Sequence, residues 1–195
     1  MENKALDKIA RSFEIALPEA NTLHEYLNFL LFSRDTNIRQ WSEDLSEQDF
    51  YVAQGGKPWL QIQDRDNAYE TVLHFFNPGG EYLQVVEGNV SRGKWRLLDN
   101  TNKMIIEQGQ NRSEMFELAF LSETFFILRK HGGYAAGKKP NFLVMGHERV
   151  VARLEWRDYV ELLFNSYRSQ NAKFNNLIVF FIVLVVIVLL LSVLR

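Results

Sequence analysis

Leu177 to Leu194 reads LIVFFIVLVVIVLLLSVL, and Arg195 follows it. Leu177, Phe180, Phe181, Val185, Leu189 and Leu194 sample every side of a helix, and all are large and apolar. A helix on a soluble domain needs only one apolar stripe, whereas a helix that is apolar all round must be buried all round. About 20 helical residues, each rising about 1.5 Å, cross the roughly 30 Å hydrocarbon core of a bilayer. Strands average only about 5–6 residues, which disfavours a central strand. The run is therefore expected to be a transmembrane tail anchor over 177–194. Tyr167, Arg168, Lys173 and Phe174 before it and Arg195 after it form the expected interfacial flank.

Basic residues are in excess on the N-terminal side of the anchor, which favours a cytoplasmic N-terminal domain. Residues 1–17 mix Lys4, Lys8 and Arg11 with Glu2, Asp7 and Glu14 and lack the apolar core of a signal peptide. The anchor has no Gly or Ala, and Ser192 is its one small residue, so it lacks a surface for close helix approach. No ionisable side chain lies within 177–194, so no ion or proton path is expected there. These features describe a single-pass tether.

The residues ahead of the anchor suffice for one domain. A formal net charge of −2 gives no broad basic footprint for nucleic acid. The chain has no cysteine, which excludes disulfides, cysteine-based metal sites and thiol catalysis.

Residues 1–50 read as a helical region. Ala5, Leu6, Ile9, Ala10, Phe13 and Leu17 recur at helical spacing, and Pro18 ends that stretch. Thr22 and Glu25 form a capping box ahead of Leu23, Tyr26, Leu27, Leu30 and Leu31. Ile38, Trp41 and Leu45 predict a third, weaker helix. No flexible linker follows, so these helices are expected to pack on the next domain.

From residue 55 to 157 short β-rich runs alternate with turn signals. Strands are predicted over 57–63, 69–76, 81–87, 92–98, 103–107, 114–121, 124–129, 141–145 and 149–156. Asn77-Pro78-Gly79-Gly80 and Asn100-Thr101-Asn102 are strong turns. In the last run Val150, Ala152, Leu154 and Trp156 supply the expected buried face. Asp158 and Glu161 then cap a juxtamembrane helix over 158–175 that leads into the anchor. The fold class is α+β: N-terminal helices, an antiparallel barrel or sandwich of about eight strands, and a C-terminal helix running into one transmembrane helix.

The segment Tyr69 to Leu83, with its Asn-Pro-Gly-Gly turn, then Gly93-Lys94-Trp95-Arg96-Leu97, Met104-Ile105-Ile106 and Glu117 to Leu121, resembles bacterial lipocalin-like (calycin) domains. The resemblance covers residues 57–156. It departs from the family at Gly56-Lys57-Pro58-Trp59, which carries one residue too many for the usual Gly-x-Trp. It implies a barrel that holds a small apolar ligand.

No known catalytic constellation is present in the sequence. His24, His74, His131 and His147 have no partner at metal-ligand spacing, and GxSxG, P-loop and GxGxxG patterns are missing. His74 alternates within a strand and reads as a packed or surface imidazole. Trp59, Phe75, Trp95 and Phe126 are the candidate barrel interior or ligand cavity. Lys138 and Lys139, in a Gly-rich stretch, form a candidate loop for anionic headgroups. No cofactor is expected. The expected role is a non-enzymatic adaptor or subunit of a membrane-associated assembly, with the lipid bilayer and other proteins as partners. The alternative is a lipocalin-like barrel binding a lipid or other apolar molecule at the membrane surface.

Overall fold

The computed structural model describes residues 22–34, 37–47, 50–51, 56–64, 70–109, 112–132 and 141–167. The chain divides into two compact units, Met1–Val160 and Glu161–Arg195. The first contains a closed antiparallel barrel in which each strand pairs with its sequence neighbours. The strands are β1 (Trp59–Gln61), β2 (Val72–Asn77), β3 (Glu81–Val86), β4 (Asn89–Leu97), β5 (Lys103–Gln108), β6 (Arg112–Leu121), β7 (Phe125–Lys130) and β8 (Phe142–His147). The ring closes where Trp59, Leu60 and Gln61 pair with His147, Gly146 and Met145.

The predicted runs correspond to these eight strands except the last, 149–156. Glu148–Val151 is instead a short helical turn, α2, with His147 as its N-cap. β8 already pairs with β7 on one side and β1 on the other, so no edge is left for a ninth strand. The expected facing is also inverted: Val151 is buried, whereas Val150 is 48 % exposed. Residues 156–167 are helical, two residues earlier than predicted. Asp158 still caps, but from inside the first turn, where its carboxylate accepts from the Glu155 N–H at 3.4 Å.

Helix α1 (Leu23–Phe32) starts at the predicted cap, where the Thr22 hydroxyl accepts from the Glu25 N–H. It buries Leu23, Leu27, Leu30 and Leu31. Its outer residues grip the barrel wall: His24 and Phe32 stack on Phe142, and the Arg129 guanidinium lies over the Phe32 ring. The weaker third helix is two 3-10 turns, Ile38–Trp41 and Leu45–Glu47. The periodic stretch 5–17 lies outside the described residues.

Phe50 and Tyr51, which follow these turns in the chain, pack into the barrel core. Phe50 is fully buried, and its ring meets Phe76, Trp95 and Phe126 at centroid distances of 5.9, 5.4 and 5.3 Å. Its carbonyl accepts from the Trp59 indole N–H at 3.0 Å, so the buried backbone group is satisfied. Leu45, Met104, Leu118, Leu121 and Met145 complete this apolar packing. The barrel wall needs glycine at two places. A Cβ at Gly93 would collide with the Glu107 carbonyl oxygen, and one at Gly146 would lie 2.6 Å from Val151.

Phe50→Ala is expected to cost about 3–5 kcal/mol, because the plug leaves a cavity among these three rings. Gly146→Ala forces Val151 and Tyr159 outward, whereas Val150→Ala should stay within about 0.5 kcal/mol. Urea unfolding followed by tryptophan fluorescence checks this ranking. Equal losses in all three variants would contradict the packing described.

Candidate functional site

Strand alternation sends every second side chain inward. On β2 the inward residues are Val72, His74 and Phe76, which are buried, while Leu73 and Phe75 are only partly covered. Phe75, expected in the interior, therefore lies on the outer face. Trp59, Trp95 and Phe126 point inward as expected and belong to the apolar packing around Phe50. They fill one end of the barrel rather than line an empty chamber.

The other end is different. A cavity of about 250 Å³ lies there, lined by Gln61, His74, Tyr82, Gln84, Gln108, Arg112, Glu114, Lys130 and Asn141, with Ile106, Phe116, Phe142 and Leu143 as apolar surface. Several strands contribute in the same way. Gln61 lies two residues beyond Trp59, Gln84 two beyond Tyr82, Gln108 two beyond Ile106, and Lys130 two beyond Leu128. Glu114 lies two residues before Phe116. These strands run from an apolar layer into a polar one without changing face.

The boundary between the layers is a hydrogen-bonded chain. Gln61 Oε1 lies 3.0 Å from His74 Nε2, and the Tyr82 hydroxyl lies 2.6 Å from His74 Nδ1. An amide oxygen only accepts, so Nε2 carries the imidazole proton and Nδ1 accepts from the tyrosine O–H. The Gln108 side-chain N–H in turn donates to Tyr82 Oη at 3.0 Å. Both ring nitrogens of His74 are thus engaged. The residue is 1 % exposed, and burial pushes its pKa down to about 4. Burial also pushes the Tyr82 hydroxyl above its ordinary value. Near neutral pH both groups are uncharged, which is the least costly state for polar groups in this layer.

Nearer the mouth the lining is charged. Lys130 donates to Glu114 across β6 and β7. Arg112 faces Gln108 in the β5–β6 register and, among the described residues, pairs with no carboxylate. No group of three or more metal-ligating side chains occurs among the described residues.

His74 is legible in the sequence as an alternating strand residue, whereas Gln61, Tyr82, Gln84, Gln108, Arg112, Glu114 and Lys130 belong to no sequence motif. The available signal was the polar residue two places from an inward aromatic or aliphatic one on strand after strand. Tyr167 is helical and buried. Arg168, Lys173, Phe174, Arg195, the anchor over 177–194, Lys138 and Lys139 lie outside the described residues. Among the described residues no helix is long and apolar enough to cross a membrane. No protein-family profile, curated protein or solved structure matches the chain.

The low pKa of His74 has a defined consequence for stability. Between about pH 6.5 and pH 4 the unfolded chain binds a proton at this site that the folded barrel refuses. Stability contributed by His74 is present above pH 6.5 and falls by roughly 3 kcal/mol as pH drops to 4. His24 and His147, also lowered by burial, act in the same direction. Urea midpoints from pH 7 to pH 4 should decline steeply for the native chain and less steeply for His74→Gln. Parallel slopes would show that His74 titrates normally.

Proposed function

We propose that this chain is a membrane-tethered, non-enzymatic binding subunit with a calycin-like barrel that receives a small polar molecule at its His74 end. The observation that carries this reading is the division of the interior. Phe50 and its neighbours occupy the apolar end, and the remaining space is bordered mainly by amide, hydroxyl and charged groups. A fatty chain would have to displace Phe50 or leave those groups unpaired, at a cost of about 1–3 kcal/mol each. The polar lining thus favours a hydrophilic ligand over the lipid that the lipocalin resemblance implies.

The state of His74 and Tyr82 supports a non-catalytic role. A general base needs a free nitrogen facing substrate and a pKa near the working pH. His74 has both nitrogens engaged and a pKa of about 4. The pair orders the cavity floor.

The apolar run 177–194 supplies the tether, and the charge bias around it orients the barrel toward the cytoplasm. In this arrangement the barrel is the ligand-responsive part of a membrane-associated assembly, with protein partners beside it.

Full-length chain should sediment with membranes and resist carbonate extraction, while residues 1–176 should stay soluble. A fluorescent fatty-acid analogue should show no stoichiometric binding to the purified full-length chain in detergent. Tight binding of that analogue, strengthened by Phe50→Ala, would restore the lipid reading. A soluble full-length chain would remove the tether.

A further inference from the structure

The charges in the cavity narrow its ligand further. Building on the reading of the barrel as a receptor for small polar molecules, we propose that the site binds a small monocarboxylate, held through its carboxylate by Arg112 and through its body by Gln108 and Gln61.

Among the described residues three charged side chains border the cavity: Arg112, Lys130 and Glu114. Lys130 and Glu114 neutralise each other, which leaves one positive charge on Arg112. A cationic ligand would meet that charge without compensation. A dianion such as phosphate would keep one unpaired negative charge. A single carboxylate balances the site, and its two oxygens match the planar fork of a guanidinium, the geometry in which Arg pairs most strongly.

The neighbouring groups supply the remaining recognition. Arg112 sits opposite Gln108 in the ladder, so a carboxylate at the guanidinium lies beside that amide. The Gln108 N–H is committed to Tyr82, and its amide oxygen is turned to accept. Gln61 is likewise committed through its oxygen to His74, which leaves its NH₂ to donate. The site therefore offers both a donor and an acceptor to a ligand body, as a hydroxy acid requires. Ile106 and Phe116 give the carbon skeleton a short apolar wall. A volume of about 250 Å³ equals roughly eight waters at about 30 Å³ each, enough for a short-chain acid.

The test uses full-length chain in detergent micelles, with isothermal titration and side-chain amide NMR at pH 7. The probes are lactate, glycolate, acetate, lactamide and inorganic phosphate. At least one of the three carboxylates should bind, shift the Gln61 and Gln108 amide resonances, and weaken as salt rises. Arg112→Gln, at an exposed strand end, should weaken it at least tenfold, whereas Arg92→Gln should not. Binding of lactamide or phosphate with no carboxylate binding would overturn the carboxylate assignment and leave the polar-ligand reading standing. Carboxylate binding unchanged in Arg112→Gln would overturn the role of that residue. Failure of every probe, with the amide resonances unmoved, would overturn both the assignment and the reading beneath it.

Discussion

The pairing of β1 with β8 is the contact on which the rest of this domain depends. Only Trp59, Leu60 and Gln61 form β1, yet they bridge His147 to Met145 on one side and reach His74 and Leu73 on the other. Without that short strand the sheet would be open, with two exposed edges. Closure turns one face of every strand into an interior. It also explains why the chain after His147 leaves the sheet as a helix: the ladder is complete. Gly146 serves the same junction, since its bare Cα lets Val151 and Tyr159 lie directly on the wall.

Closure alone leaves an interior that must be filled or wetted. This barrel does both, at opposite ends. At one end Phe50 comes from a segment outside the sheet and meets the rings of Phe76, Trp95 and Phe126, while Trp59 donates to its carbonyl. At the other end, glutamines and an ion pair replace the rings. The Gln61–His74–Tyr82–Gln108 chain is the interface between these regimes. It satisfies each polar atom it buries, so the change from apolar to polar costs little. The same satisfaction keeps His74 neutral and removes it from acid–base chemistry.

Some of this was readable locally. The Thr22–Glu25 cap, the strand runs, and the Asn77 to Gly80 turn depend on neighbours a few residues away, and they appear where their patterns predict. Phe75 and Phe76 mark a limit: adjacent aromatics in one strand must face opposite ways, and only the pairing of Phe76 with Tyr82 shows which is inside. The 149–156 run marks another. Its alternation is a valid strand pattern, but a strand needs a free edge, and whether one remains is a property of the whole sheet.

The sequence by itself determined the α+β class, most of the antiparallel strand runs with their turns, and an apolar run at 177–194 of membrane-spanning length. Each rests on periodicity, turn chemistry or hydrophobic length, all of which act within a short stretch of chain. Only the tertiary structure decided that the barrel closes at eight strands, that Phe50 plugs one end, and that residues from seven strands meet as one polar cavity. Gln61 and Lys130 are far apart in sequence, and nothing local to either one records the other. Register across the closed ring brings them together.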